Sequence, residues 1–332
     1  MADLWLSQIR SNTHLQKPEA QAAMGFIHTV IADRLSPLDA ASSISGAYES
    51  TVRRNEADLW SLWTIIIDAI NHLGGETATS QRLAEILAHM SSLPDVLDAN
   101  GKACKSKSGR KIWRELPDFS FYFFEQGIGK FGRTDTDSFM WQSWSLLLCA
   151  NSYSFRDHIL IENIESSRHG DKVQDAATRL TNTNTFAALY LCELDPDGPP
   201  NELSSMRKVA LEHFMYTLEI PFDTPERVRR TELYIAPAAA WIAIAGSRLY
   251  QYSKSNADYK GEDVSPWWIG GTHGGVVMWE KRDGFSMERW AFWRDRFREF
   301  SEVESGSEEA KTQAARAAQT MQTIEEAGQN DR

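Results

Sequence analysis

Two neutral hydrogen-bond donors, Asn184 and Tyr234, stand on apolar faces of predicted helices. The face of Asn184 is otherwise aliphatic, and the face of Tyr234 alternates alanines with large side chains. Neither group titrates near pH 7, so either could donate a hydrogen bond to a substrate carbonyl and stabilise charge that grows there during a reaction. The alternative is structural: a buried amide can join two helices, and alanines can let a neighbouring helix approach closely.

Large side chains on predicted helical segments could enclose an apolar cavity around these donors. Tyr190 and Arg248 are further candidate donors, and the tryptophans are candidate walls or simply core residues. The predicted substrate-contacting residues are Trp141, Trp144, Tyr190, Trp241 and Arg248.

Motifs that bind cofactors or metals are missing or lack their structural context. Gly127 to Gly132 match a dinucleotide fingerprint, but the segments around them are helical in pattern rather than strand–turn–helix. No pair of histidines has zinc-ligand spacing, and no serine lies in a nucleophile elbow. The sequence therefore predicts neither a cofactor nor a metal.

Composition limits the partners of the chain. Its 332 residues carry a net charge of −11, which disfavours nucleic acid and anionic lipid as general partners. The longest apolar run, Tyr234 to Gly246, contains Pro237 and is too short to span a membrane. Three cysteines form no disulfide framework, and a reduced, cytoplasmic location is expected. The oligomeric state is left open.

Helical signals dominate the chain and predict an all-α, single-domain, irregular bundle of nine to eleven helices. Helix starts are expected at Ser36-Pro37, Ser80, Thr224-Pro225 and Ser286. Other helices are expected to begin at Pro18 and Asn55, and to cover 135–151, 171–194 and 202–219.

The domain is predicted to cover 1–300 and to be followed by an acidic, solvated tail, 301–332, which has almost no large apolar residues. Lysines and arginines between 102 and 114 predict a solvated basic loop, or a site for an acidic partner. The glycine-rich segment 270–275 could act as a lid.

The segment from Gly284 to Phe297, with Arg289, Trp290, Trp293 and Arg296, carries a family resemblance. It resembles the closing motif of the fungal domain-of-unknown-function family 3632, and the segment from Pro266 to Trp279 is similar as well. That resemblance implies a helical protein that accompanies specialised-metabolite genes. In size and in the lack of cofactor motifs the chain is similar to norbornene-forming Diels–Alderases of sordarin-type diterpenoid biosynthesis, and this resemblance implies a pocket that folds a polyene and activates a carbonyl dienophile.

The leading hypothesis is a cofactor-independent cyclase of fungal secondary metabolism, which acts on an apolar terpenoid substrate by an intramolecular Diels–Alder reaction. Tyr234 and Asn184 are its predicted catalytic donors. A non-catalytic helical interaction or regulatory protein is the first alternative, and a carrier of a hydrophobic small molecule is the second. An enclosed apolar cavity would favour the enzyme or the carrier, and a solid core with an exposed apolar patch would favour the interaction protein.

Overall fold

The computed structural model describes residues 1–54, 59–128, 170–195, 200–257, 278–279 and 284–330. Eleven α-helices lie within these ranges, and β-pairing there is limited to two isolated bridges, so the all-α prediction is confirmed. The helices are α1 Ala2–Arg10, α2 Pro18–Ile31, α3 Pro37–Arg53, α4 Trp60–Leu73, α5 Thr77–Ser91, α6 Phe119–Tyr122, α7 Gly170–Glu193, α8 Pro200–Leu218, α9 Pro225–Lys254, α10 Met287–Ser301 and α11 Glu308–Asn330. None of them is long and apolar enough to cross a membrane.

Three of the predicted helix starts have the expected cap. The hydroxyls of Ser36, Thr224 and Ser286 each accept a hydrogen bond from the backbone N–H three residues later, which satisfies one of the first unpaired donors of the helix. Ser80 is different, because α5 already begins at Thr77. The buried Ser80 hydroxyl donates to the carbonyl of Gly74 at 3.1 Å and thereby ties α5 to the end of α4.

The chain forms two compact units, of which the first comprises Met1–Ile128 and Asn182–Arg207. Helices α1, α2 and α5 pack against α4, whose apolar residues are buried along most of its length, and α3 packs against α2 and α5. A cluster of fully buried aromatic side chains lies beside α4 and α6. It consists of Trp63, Phe119, Phe123, Phe186 and Tyr190, with ring centroids 5.4–6.0 Å apart.

The basic segment of the first unit is a hairpin rather than an unstructured loop. Bridges pair Leu97 with Ala103 and Lys105 with Lys111, so two short turns follow one another. We refer to the second of them, residues 105–111, as the hairpin. Lys102, Lys105 and Lys107 are exposed, as predicted, whereas Lys111 is half-buried and pairs with Asp95 at 2.5 Å. The following Ile112 and Trp113 are buried and fix the base of the hairpin to the core. Sequence periodicity could not show this, because the anchor consists of only two residues.

The second unit comprises Gly129–Thr181 and Lys208–Arg332, and its described core is built from α9, α10 and α11. The prediction of a solvated tail is wrong for α11. One face of this helix is buried, at Ala310, Ala314, Ala317, Ala318 and Met321. The spacing is helical, but the side chains are small, so the face lacked the large apolar residues that the sequence analysis looked for.

Small residues let α11 approach α9 closely. A methyl group added at Gly246 of α9 would lie 2.8 Å from Cδ1 of Ile324, and one added at Gly328 would lie 2.6 Å from Cε1 of Tyr250. Both distances are shorter than carbon atoms adopt, so a side chain at either position would displace its neighbour. At Gly246 that neighbour is the movable end of Ile324, and at Gly328 it is the buried ring of Tyr250, which has less freedom to shift.

Candidate functional site

One face of α9 carries three of the predicted site residues, Tyr234, Trp241 and Arg248. They follow one another at seven-residue intervals, or about 10.5 Å each along a helix that rises 1.5 Å per residue. Trp241 is fully enclosed, whereas Tyr234 and Arg248 are half-buried. The buried alanines 238 and 245 lie between them. These residues thus share one face of α9, with Trp241 buried and with Tyr234 and Arg248 at its half-buried margin.

His213 of α8 lies against the N-terminal end of this stripe, at Tyr234. Its Nε2 lies 3.1 Å from the backbone carbonyl of Tyr234, and the two rings are 5.8 Å apart. Since a carbonyl oxygen can only accept, Nε2 carries the proton and Nδ1 is left unprotonated. Pro237 removes a backbone donor from the same stretch of α9. The missing N–H of Pro237 would have served the carbonyl of Leu233, four residues back, so the imidazole adds a donor to the neighbouring carbonyl of the same turn.

Burial also keeps this imidazole uncharged. Loss of hydration lowers the pKa of His213 to about 4, and the hydrogen bond to the Tyr234 carbonyl opposes this only in part. At neutral pH the phenol of Tyr234 therefore stands next to a neutral ring. The arrangement suits the binding of a neutral polar group, such as a carbonyl, better than that of an anion.

The C-terminal end of the stripe carries a charged residue, Arg248. Nε of Arg248 donates to the hydroxyl of Tyr252 at 3.0 Å, one helical turn further on. Tyr234 and Arg248 are fourteen residues apart, which corresponds to about 21 Å along the helix. A single carbonyl could contact one of them but not both.

The other described candidates, Asn184 and Tyr190, belong to the first unit. Asn184 is 1% exposed and Tyr190 is fully buried, with its ring stacked on Phe186 at 5.8 Å and edge-on to Phe119 at 6.0 Å. The neighbouring Asn182 donates from Nδ2 to the carbonyl of Asn71 at 3.0 Å. Such surroundings are those of a core, so we build the candidate site on the α9 face alone. Asn184 stays a separate prediction.

Several of the sequence-based predictions concern residues outside the described ranges. Trp141 and Trp144, the helix predicted over 135–151 and the glycine-rich segment 270–275 all lie there, and so does the cap predicted at Asn55. Their predicted roles remain predictions.

A surface groove of about 430 Å³ lies in the first unit between α3 and the segment Leu93–Leu97. Its floor carries the ion pair of Arg53 with Glu49, and its other wall is mainly aliphatic. No predicted site residue lines it. Within the described residues, no three His, Cys, Asp or Glu side chains come together as a possible metal site.

Sequence reasoning missed the buried charge cluster of the second unit. Both carboxylate oxygens of Glu219 accept from Arg289, at 2.7 and 2.8 Å, and the indole Nε1 of Trp293 donates to the same carboxylate at 2.7 Å. The side chains of Glu219 and Arg289 are 2% and 3% exposed. The one available signal was an acidic residue placed directly after the last turn of α8.

Arg289 and Arg296 lie seven residues apart on α10 and both secure the end of α8. Nε of Arg296 donates to the carbonyl of Leu218 at 2.8 Å, and its guanidinium lies 3.7 Å from the ring of Phe222. Cations are favoured at the negative end of a helix, where the last carbonyls have no partner in the helix. The motif that carried the family resemblance thus joins two helices of the second unit.

The family model for proteins of unknown function, DUF3632, matches residues 63–297, more than two thirds of the chain. The chain belongs to this family. The DUF3632 region includes Glu219, Arg289, Trp293 and Arg296, as well as all the predicted site residues, and it ends before α11 begins. No curated protein and no solved structure matches the chain.

Proposed function

We propose that this protein is a cofactor-independent cyclase of fungal secondary metabolism. In this proposal it folds an apolar, terpenoid substrate along the α9 face and promotes an intramolecular Diels–Alder reaction. The observation that carries the proposal is the half-buried phenol of Tyr234, which stands beside the neutral His213 and heads a stripe of alanine and tryptophan.

The reaction makes few demands on the protein. Two carbon–carbon bonds form in a ring closure, no group leaves and no proton is transferred. A surface that holds diene and dienophile close together removes part of the entropic barrier. One hydrogen bond to a carbonyl on the dienophile stabilises the charge that develops on its oxygen.

The distance between Tyr234 and Arg248 on α9 assigns them to different parts of the substrate. Tyr234 is the proposed donor to the carbonyl, because its hydroxyl is neutral and the adjacent ring of His213 is uncharged. Arg248 would contact a polar group at the far end of the substrate, about 21 Å away along the helix. Trp241 lies between them and, being fully buried, would support the apolar wall from behind. The proposed substrate is therefore elongated.

The decisive experiment incubates the purified full-length protein with a metabolite extract from a fungal strain that lacks the gene. Liquid chromatography with mass spectrometry follows the conversion of one extract component into an isomer of the same mass and different retention time, as an intramolecular cycloaddition requires. Conversion is expected to persist after dialysis against EDTA.

The donor is tested by Tyr234→Phe, which removes only the hydroxyl. With enzyme in excess, conversion should slow by about 10²–10³-fold, the usual effect of removing one such donor. Tyr122→Phe in α6 is the matched control and should leave the rate unchanged. If Tyr234→Phe folds normally and converts at the wild-type rate, Tyr234 is not the donor, and Asn184→Ala tests the second predicted one.

The same extract separates the alternatives. A compound that co-purifies with the protein and is never converted would favour the carrier. An extract that is neither bound nor converted would favour the interaction protein.

A further inference from the structure

The tip of the hairpin in the first unit is a tight turn over residues 106–110. The N–H of Gly109 donates to the carbonyl of Ser106 at 2.9 Å, and the N–H of Ser106 donates to the carbonyl of Arg110 at 2.8 Å. Gly109 has a φ of +80°, which few other residues tolerate. Ser108 is exposed at the point of the turn.

Positive charge surrounds this serine on a chain that is otherwise acidic. Lys105 and Lys107 precede it and are exposed, and Arg110 and Lys111 follow it, each paired with an aspartate, Asp118 and Asp95 respectively. The whole chain carries −11. Charge patterns of this kind determine which kinase accepts a segment. We propose that Ser108 is a phosphorylation site for a protein kinase whose substrate groove is acidic.

The geometry favours Ser108 over the nearby Ser106. Ser106 is half-buried, and its hydroxyl accepts a hydrogen bond from the N–H of Arg110 at 3.3 Å, so it helps to hold the turn. Ser108 is exposed, and its Oγ contacts the hydroxyl of Ser106 at 2.8 Å. Within the described residues this hairpin has only isolated bridges and no continuous ladder, so the tip can open locally and extend into a kinase at small cost.

The transfer itself is ordinary kinase chemistry with ATP as donor. The hydroxyl oxygen of Ser108 forms a bond to the γ-phosphorus while the bond to the ADP oxygen breaks, and the hydroxyl proton passes to the base of the kinase. The new group arrives beside a cation that is already in place, because Nε of Arg110 lies 3.2 Å from Oγ of Ser108.

Phosphorylation would redirect Arg110. At present Nη2 of Arg110 donates to Oδ1 of Asp118 at 2.8 Å, in a pair that is 30% and 49% exposed. A phosphoserine carries nearly two negative charges and binds guanidinium more strongly than a single carboxylate does. The phosphate therefore competes with Asp118 for the same side chain.

Asp118 lies at the start of α6, where this competition has a structural effect. Its φ is +67°, in the left-handed region that aspartate adopts more readily than most residues, and its carboxylate holds the guanidinium of Arg110 beside the first turn of the helix. The next residue, Phe119, packs against Trp63 at 5.4 Å. Loss of the Arg110 contact should loosen the first turn of α6.

The test treats the full-length protein with ATP and the catalytic subunit of a kinase that selects basic sequences. One phosphoryl group per chain is expected, and peptide mass spectrometry should locate it on Ser108. Ser108→Ala should abolish incorporation, whereas the matched variant Ser106→Ala should retain it. The double variant of Lys105 and Lys107 to alanine should slow incorporation by about tenfold, since it removes the local charge. An unmodified wild type, or equal incorporation into Ser108→Ala, would overturn the proposal.

A second measurement tests the link to α6. Hydrogen exchange at the amides of residues 119–122 should be faster in the phosphorylated protein. Asp118→Asn, which weakens the contact with Arg110 without any phosphate, should show the same change. Unchanged exchange after full phosphorylation would show that Arg110 does not leave Asp118.

Discussion

The two compact units hold their polar groups in opposite ways. In the first unit the most buried polar contacts are neutral, as where Nε1 of Trp63 donates to the carbonyl of Pro117 at 2.9 Å and the hydroxyl of Thr183 donates to Oδ1 of Asn71 at 2.9 Å. The carboxylate of Asp68, which accepts from Nε1 of Trp5 at 2.8 Å, is partly exposed. In the second unit the central contacts are charged, as in the pair of Glu219 with Arg289.

This difference determines how strongly the loss of one polar partner should destabilise each unit. A lost neutral hydrogen bond costs about 1 kcal/mol, whereas a buried charge left without its partner costs about 3–5 kcal/mol. The second unit should therefore tolerate few changes at its centre, and the first should tolerate more. The predictions below test this contrast, from the largest expected effect to the smallest.

Truncation after Val303 removes α11 and should have the largest effect. It exposes the face of α9 that carries Gly246 and deprives Nε1 of Trp290 of its acceptor, Glu325, at 2.8 Å. The lost burial of four alanines and one methionine amounts to about 5 kcal/mol. Chemical denaturation should show the second unit unfolded or strongly destabilised. A truncated protein with the wild-type midpoint would mean that α11 is dispensable.

Glu219→Gln should cost about 3–5 kcal/mol, because it leaves the guanidinium of Arg289 buried without a counter-charge. Urea unfolding followed by circular dichroism measures the loss. Glu226→Gln is the matched control, since Glu226 and its partner Arg229 are 65% and 67% exposed and their contact should contribute less than about 1 kcal/mol. Equal effects of the two substitutions would remove the contrast between the units.

His213 should make the stability of the second unit depend on pH. Its pKa is about 4 in the folded protein and near 6.5 when unfolded, so the unfolded chain binds a proton first as the pH falls. Above pH 6.5 His213 is neutral in both states and does not change the free energy of unfolding. Between pH 6.5 and 4 its protonation in the unfolded chain lowers that free energy, by up to about 3 kcal/mol in all. His213→Gln retains a donor for the Tyr234 carbonyl but does not titrate. Unfolding curves at pH 7 and pH 4.5 should differ less for this variant than for the wild type.

Thr183→Val should have the smallest effect, about 1 kcal/mol, because it removes one neutral hydrogen bond and preserves the shape of the side chain. Thermal unfolding at pH 7 gives the value. A loss as large as that of Glu219→Gln would show that the neutral contacts of the first unit are as critical as the charges of the second.

Local sequence signals determined the helical class and most helix starts. Hydroxyl caps and proline at the first position are satisfied within a few residues, so Ser36, Thr224 and Ser286 could be read directly. The inward stripe of Tyr234, Trp241 and Arg248 was predictable for the same reason, because helical periodicity alone places these residues on one face.

Tertiary structure decided which faces are covered and which charges have partners. The buried face of α11 consists mainly of alanines, which give only a weak apolar signal in the sequence. It is buried because Gly246 of α9 and Gly328 of α11 allow the two helices to approach closely. Glu219 and Arg289 are seventy residues apart in the chain, so no local pattern relates them. The sequence by itself determined the helices and their inward faces. The pairing of Glu219 with Arg289, the neutral state of His213 and the burial of α11 depend on contacts between distant segments, and only the folded chain brings those segments together.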